Sequence, residues 1–214
     1  MIKGIARVIA RIIVEGFHRV VINLFDTLFG FLNWPEKKLR IKILILEGSE
    51  DRAVLSPSEL DVALGYAKVS LKKNFNVKLL PAKKGQLVEL LKVIPPRDVL
   101  YTKGGYDALK EEFKVAGNFF ASHLSGSFYP VTVFVVIDIV GASGCSLGPL
   151  TDYITLDPDG ARAVSTLVHE LAHAGGLWHV KESANLLYRF KSRGNEVNWW
   201  QKNLFRGSRH VTYW

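Results

Sequence analysis

The stretch His-Glu-Leu-Ala-His-Ala-Gly-Gly-Leu-Trp-His, residues 169–179, decides how the rest of this chain is interpreted. On a helix, His169 and His173 stand four residues apart, so both imidazole rings project from the same face. Gly176 can adopt a positive φ that ends the helix and turns the chain, which brings His179 back to the same point. Three neutral imidazoles around one Zn²⁺ leave its fourth position to water, which is typical of a catalytic zinc site.

Glu170 directly follows the first of these imidazoles, where its carboxylate can accept a proton from that water. The chain contains six histidines and three of them lie in this window, which argues against a coincidence on a solvated helix face. The residues therefore predict one catalytic Zn²⁺ bound by His169, His173 and His179, with Glu170 as general base.

The fixed positions of this window fit H-E-x-x-H-x-x-G-x-x-H, and the run resembles the signature of the metzincin zinc endopeptidases. The resemblance implies a zinc-dependent endopeptidase that hydrolyses peptide bonds of a peptide or protein substrate with metal-activated water. It also implies an α+β zincin fold, in which a twisted mixed β-sheet is combined with two long helices, an active-site helix and a C-terminal helix.

Metzincins carry a tight turn with a methionine beneath the metal, and in matrixin-like members this methionine lies eight residues past the last ligand. Here that offset gives Leu187, within Ala-Asn-Leu-Leu-Tyr at 184–188, and the only methionine is Met1. Leucine and methionine have similar volumes, so the replacement need not abolish activity. Tyr188 follows as in matrixins; it is not assigned as a ligand, and both a packed aromatic and a catalytic role remain open.

The length of 214 residues suits one domain with a core plus an appendage. The chain has a single cysteine, Cys145, so an intramolecular disulfide is excluded. This fits a reducing compartment or a secreted protein that needs no disulfide bonds for stability. Archaemetzincins resemble the zinc motif too, but they carry a cysteine cluster that this chain lacks. We therefore expect no second, structural zinc.

The net charge of +8 is concentrated at both ends of the chain. Residues 1–40 hold seven Lys/Arg against three Asp/Glu, residues 181–214 hold seven against two, and residues 41–180 hold fourteen against fifteen. Basic ends suggest an anionic membrane surface or nucleic acid as a partner, and plain solubility is the alternative. Two further hypotheses follow: a catalytically impaired zinc-binding module tethered to a membrane, and a nucleic-acid-associated protease that uses the basic and aromatic residues of 191–209.

The N-terminal segment has charges every four residues, at Lys3, Arg7, Arg11, Glu15 and Arg19, with apolar residues between them. This pattern predicts an amphipathic helix with a wide apolar face. The charges argue against a transmembrane span, and the segment lacks the features of a cleavable signal peptide. The helix either lies in a membrane interface, packs on the domain or forms an oligomer, so the protein is expected to be peripheral to a membrane or cytoplasmic.

The predicted organisation has an N-terminal amphipathic helix at 1–34, a linker at 35–38 and a metzincin-like protease domain at 39–214. In the membrane hypothesis the anchors of the first segment are Phe25, Phe29, Phe31 and Trp34. Predicted strands lie at 39–46, 77–80, 98–101, 131–140, which should be central, and 153–156. Predicted helices lie at 56–74, 86–93, 106–124, 160–175 and 192–205.

The glycine-rich segment 141–149 lies between two predicted strands, where the family resemblance implies an edge strand that pairs with extended substrate. Its candidate rim residues are Gly144, Ser146, Leu147 and Gly148, and an ordinary hairpin loop is the alternative. The residues after Tyr188, beginning with Arg189 and Phe190, are expected to shape the specificity pocket. These residues indicate only that the lining of the specificity pocket is apolar or mixed.

Overall fold

The protein is described from a computed structural model that covers residues 2–30, 35–48, 53–83, 87–124 and 130–214. Its strands are β1 (Lys37–Leu46), β2 (Val77–Pro81), β3 (Val88–Leu91), β4 (Tyr101–Lys103), β5 (Val131–Val135), β6 (Asp138–Val140), β7 (Gly144–Ser146), β8 (Tyr153–Leu156) and β9 (Val211–Thr212). Its helices are α1 (Ile2–Gly30), α2 (Asp61–Phe75), α3 (Arg97–Leu100), α4 (Gly105–Glu112), α5 (Val115–Ser122), α6 (Pro158–Arg162), α7 (Thr166–Ala174) and α8 (Trp199–Arg206).

The main sheet is mostly parallel and runs in the order β2, β1, β5, β8, β7. Strand β1 pairs in parallel with β2, β3 and β5, and β8 continues the parallel set beside β5. Strand β7 lies at the edge and is antiparallel to β8, while β9 pairs antiparallel with β1. Strands β4 and β6 form a small separate sheet. The twisted, mixed sheet with helices confirms the predicted α+β class.

Alternation along β1 divides the core between the two faces of the sheet, because successive side chains point in opposite directions. Ile41, Ile43 and Ile45 are buried in a cluster with residues of α2 and α7. Leu44 and Leu46 are buried in a second cluster with residues of α3 and α5. The helix α7 that carries the histidine motif is therefore held against one face of the sheet, whose central strand β5 is buried along its whole length.

Several short elements differ from the sequence prediction because distant pairing overrides local propensity. The helix predicted at 86–93 is wrong: strand β3 lies there and pairs with β1, while Gln86 falls outside the described residues. The strand predicted at 98–101 is also wrong, since Pro96 precedes the short helix α3 and the strand β4 begins only at Tyr101.

Longer segments are interrupted where the sequence predicted continuous elements. The helix predicted at 106–124 is two helices, α4 and α5, and a Cβ on Gly117 would lie 2.1 Å from the carbonyl oxygen of Glu112 at the break. The strand predicted at 131–140 divides into β5, which is central as predicted, and β6. The helix at 160–175 divides into α6 and α7, and the C-terminal helix α8 begins later than predicted, at Trp199.

Helix α1 turns its charged stripe towards the body of the protein. The Arg11 guanidinium donates to Asp152 over 2.7 Å and forms an ion pair with Glu112 at 3.3 Å. Glu15 pairs with Arg209 at 2.9 Å, and all five of these side chains are buried. The contacts continue along the helix at Arg7 with Asn118, Arg19 with Leu204 and Gly175, and Asp26 with Lys37. Fixed ion pairs thus hold α1 in place.

The apolar face of α1 points away from the protein. Nine large side chains on it are between 43% and 74% exposed: Ile5, Ile9, Ile12, Ile13, Phe17, Val20, Leu24, Phe25 and Leu28. Of the proposed anchors, Phe31 and Trp34 lie outside the described residues, and the side chain of Phe29 is not described. Within the described ranges, no helix combines the length and apolarity that crossing a bilayer requires.

Candidate metal centre and cleft

Helix α7 positions the first two histidines and the glutamate, and its C-terminal end positions the third histidine. His169 and His173 lie one turn apart on the helix. Gly176 has φ +87°, and Leu177 donates its N–H back to the carbonyl oxygen of Ala172 as the chain turns. This left-handed glycine at the helix end is the conformation that the sequence predicts, and it returns the chain to His179.

The three histidine Nε2 atoms form a nearly equilateral triangle. The distances are 3.1 Å from His169 to His173, 3.1 Å from His173 to His179 and 3.3 Å from His169 to His179. A tetrahedral ion with metal–nitrogen bonds of about 2.0–2.1 Å separates its ligand nitrogens by roughly 3.3 Å. The triangle therefore matches a single divalent cation, and the described residues place these three side chains together as a metal-binding group.

Backbone carbonyls fix the tautomers of two of these rings. The Nδ1 of His169 lies 2.8 Å from the carbonyl oxygen of Leu186, and the Nδ1 of His173 lies 2.7 Å from that of Leu177. A carbonyl only accepts, so each Nδ1 carries the proton and each Nε2 keeps its lone pair. The two Nε2 atoms at 3.1 Å are consequently not a donor and an acceptor, and a shared cation explains their approach.

Burial keeps the histidines in the neutral form that binds metals. Desolvation lowers the pKa of His169 to about 3, and the neighbouring His173 contributes to that fall. Desolvation likewise lowers the pKa of His173 to about 4, and it lowers the pKa of the more exposed His179. The metal-free rings are therefore unprotonated at neutral pH.

Glu170 is buried beside the triangle and is packed against the edge strand. A Cβ on Gly144 of β7 would lie 2.8 Å from the Cγ and 2.9 Å from the Oε1 of Glu170, so this strand position requires glycine. Burial raises the pKa of Glu170 to about 8, an effect that the positive charge of Arg193 partly opposes. The glutamate is thus poised to exchange a proton near neutral pH.

The turn after the third histidine supports the metal-site helix. Leu187 is fully buried in the core, and Leu186 provides the carbonyl that orients His169. Asn185 closes the turn by accepting from the N–H of Leu187 over 2.8 Å. Tyr188 packs on Phe190, with ring centroids 5.3 Å apart.

A cleft of about 960 Å³ opens along β7 and the metal site. The predicted rim residues Gly144, Ser146, Leu147 and Gly148 all line it. Arg189, Phe190, Lys191 and Arg193, from the segment after the turn, line it as well. An edge strand beside such a cleft can pair with an extended peptide.

Sequence reasoning missed several contributors to this site. The carbonyls of Leu177 and Leu186 carry no sequence signal, because any residue supplies a carbonyl. The proximity of Gly144 to Glu170 also depends on the pairing of β7 with β8, which only the fold reveals. Arg193 lies in the segment after Tyr188 that was expected to shape the pocket, but it was not singled out, although three cations within five residues of the chain were visible as a signal.

The basic C-terminal segment is only partly available to bind an anion. Trp199 and Trp200 are 71% and 64% exposed. Arg206 and Arg209, however, are fully buried and bind carbonyls and carboxylates of the protein. These two arginines add no charge to the surface, which removes part of the basis for the nucleic-acid hypothesis.

No protein-family model matches this chain, and no curated protein matches it. Among solved structures, the chain is similar to metalloproteinase-II from Bacteroides fragilis, with a TM-score of 0.50 and 13% sequence identity. The match covers 77% of this chain and 51% of the other, so the chain spans about half the length of that structure. At this level of identity the likeness shows the fold, and it confirms the predicted zincin-like α+β arrangement.

Proposed function

We propose that this protein is a zinc-dependent endopeptidase of the metzincin type. The observation that carries the proposal is the triangle of histidine Nε2 atoms, 3.1–3.3 Å on each side, with a buried carboxylate next to it. The fold shared with a metalloproteinase supports it independently of the motif. The protease domain would comprise residues 39–214, with residues 1–34 as an additional element.

His169, His173 and His179 would hold the ion, which supplies Lewis acidity and lowers the pKa of water. Glu170 accepts the proton of the attacking water and delivers it to the nitrogen of the leaving amine. Its burial against Gly144 keeps the carboxyl in place and excludes bulk water from one side. Leu187 takes the place of the methionine beneath the site, where it fills a similar volume.

The experiment is cleavage of a peptide library by the full chain, with and without a chelator and after zinc is restored. We expect zinc-dependent cleavage, and a loss of about 10²–10⁴-fold in Glu170→Ala because only proton transfer is removed. Glu182→Ala, which removes an exposed glutamate outside the cleft, is the matched control and should retain full activity. Cleavage at the wild-type rate by Glu170→Ala would overturn the assignment.

We further propose that α1 places this protease on an anionic membrane surface. Its exposed side chains, where described, carry no charge over residues 5–28, a distance of about 35 Å along the helix. Monomeric proteins rarely expose contiguous apolar patches above roughly 300–600 Å². Because Glu15 and Asp26 are buried in ion pairs, no described acidic side chain of α1 faces outwards, and the net charge of +8 favours anionic lipid.

Co-sedimentation with vesicles tests this surface directly. We expect binding to vesicles of phosphatidylserine and phosphatidylcholine, weaker binding to phosphatidylcholine alone, and a loss of more than about tenfold in Ile13→Ser/Val20→Ser. The control Val62→Ser/Val69→Ser changes two equally exposed residues of α2 and should bind normally. A lipid-independent dimer that the α1 variant dissociates would instead assign the face to a second copy of the chain.

A further inference from the structure

The loop that carries Arg189, Lys191 and Arg193 makes its part of the cleft strongly basic. Arg189, Lys191 and Arg193 line it, whereas Glu170 is the only carboxylate among the described residues that line the cleft. None of the three cations lies within 4.0 Å of a carboxylate in the described part of the chain. The buried cations Arg11, Lys37 and Arg209 each have such a partner, whereas the half-buried Arg193 has none in the described part of the chain.

Arg193 is held so that part of its guanidinium is left without a partner. Its Nε donates to the carbonyl oxygens of Tyr188 and Phe190, both at 3.2 Å, which fixes the side chain to its own loop. Its Nη1 is buried and makes no hydrogen bond to any described residue. A buried donor without an acceptor is costly, and a carboxylate is the group that an arginine fork binds best.

Arg193 lines the same cleft as Glu170 and the three histidines, and no described ion pair joins it to the glutamate. Its positive charge lowers the pKa of Glu170 and of the histidines, in the same direction for both kinds of group. A substrate group that reached Arg193 would therefore belong to a residue next to the scissile bond. Arg189, whose guanidinium lies 5.1 Å from the ring centroid of Phe190, and exposed Lys191 extend the same positive field outwards.

We infer that the cleft selects substrates by a carboxylate next to the scissile bond, which Arg193 binds and which Arg189 and Lys191 attract. The inference rests on the proposed peptidase function and adds the substrate class to it. The carboxylate is that of an aspartate or glutamate side chain, because an endopeptidase cleaves away from the C-terminus of its substrate. Arg193 is in this view a specificity residue and takes no part in proton transfer.

The first test uses quenched fluorescent peptides that differ only in carrying Glu, Gln or Lys on either side of the cleaved bond. We expect the wild-type protein to cleave the best Glu peptide with kcat/KM at least about tenfold above that of its Gln counterpart. The preference should shrink in high salt. Equal rates for the Glu and Gln peptides would overturn the inference.

Variants then locate the preference. Arg193→Gln should bring the Glu and Gln peptides to within about twofold of each other, and Arg193→Lys should retain part of the difference. A purely structural role predicts an equal fall for both peptides, which would contradict the inference. Because Arg193 also ties its loop together, Arg189→Gln/Lys191→Gln is a second variant with exposed side chains, and it should weaken the preference and its salt dependence. Lys181→Gln, outside the cleft, removes one positive charge and is the control for Arg193→Gln.

Binding separates this inference from the proposed function. The Glu170→Ala protein should bind the labelled Glu peptide about tenfold more tightly than the Gln peptide, as fluorescence anisotropy measures. Selective binding together with no cleavage by the wild-type protein would sink the peptidase proposal alone. Cleavage without any carboxylate preference would sink only the selectivity.

Discussion

Helices α1 and α7 both press ionisable side chains against the body of the protein at four-residue intervals, but they treat those groups differently. On α1, Arg11 and Glu15 each meet groups of opposite charge at 2.7–3.3 Å. On α7, His169 and His173 meet only carbonyls and other imidazoles, and Glu170 has no described ion pair. The ion-paired charges of α1 have their partners within the protein and fix the helix in place. The ionisable groups of α7 converge without such partners, which is typical of a ligand-binding site.

The largest expected effect comes from removing one of the three histidines of the metal site on and after α7. Loss of a residue that only hydrogen-bonds to a metal ligand lowers metal affinity by about 10–100-fold, and loss of a ligand itself should lower it more. His179→Ala should therefore weaken zinc binding by more than about 100-fold and abolish peptide cleavage. Metal analysis after dialysis checks the stoichiometry, with His123→Ala, just after the end of α5, as the control histidine. An unchanged zinc content would show that the third ligand lies elsewhere.

The next largest effect concerns the buried ion pairs that hold α1 against the rest of the protein. Asp152 binds Arg11 at 2.7 Å and Arg209 at 2.6 Å, so Asp152→Ala leaves two buried guanidinium groups with less compensation. We expect a loss of about 3–5 kcal/mol in unfolding free energy, or roughly 10 °C in Tm. Asp107→Ala breaks an exposed pair with Lys110, which water screens, so its thermal transition should stay close to that of the wild type. Equal shifts of the two thermal transitions would contradict the distinction.

A smaller effect should appear in the pH dependence of the metal-free protein. The pKa of Glu170 is about 8 in the folded state, above its usual value of 4.5. Between these values Glu170 is deprotonated in the unfolded chain but still protonated in the folded protein. The contribution of this one carboxyl group to the unfolding free energy therefore falls as pH rises from about 4.5 to about 8. Denaturant unfolding with chelator at pH 5–8 should show Glu170→Gln gaining stability relative to wild type across this window. Parallel stability curves would refute the assignment.

The smallest effect is expected at the turn. Leu187 is fully buried, and Leu187→Met conserves side-chain volume, so the variant should change the unfolding free energy by less than about 1.5 kcal/mol. Its kcat/KM should remain within about threefold of wild type, since no contact with the metal ligands is lost. A gain of tenfold or more would instead mean that the leucine limits catalysis.

The metal site was predictable because its information is local. His169, His173 and His179 lie within eleven residues, and helical spacing plus one glycine determines how they meet. The central position of β5 followed in the same way from its continuous apolar run. By contrast, β3 pairs with β1 across more than forty residues, and nothing in its own four residues indicates that partner.

The orientation of α1 illustrates the limit of pattern reasoning. Periodicity identified a charged face and an apolar face, but the direction of each depends on residues that are distant in sequence. Arg11 finds Asp152 and Glu112, which are 141 and 101 residues away. Arg193 was missed for a similar reason, because its unpaired Nη1 is a property of the folded loop.

One side chain of α1 has a consequence for any processing of the N-terminus. Arg19 donates to the carbonyl of Gly175 over 2.9 Å and to that of Leu204 over 2.7 Å, and so caps the C-terminal end of α7 and contacts α8. A Cβ on Gly176 would lie 2.3 Å from the Arg19 guanidinium. The bend that leads to His179 therefore packs closely against the Arg19 side chain. We therefore expect removal of the first thirty residues to loosen the bend that carries His179 and to weaken metal binding, in addition to any effect on the proposed membrane contact.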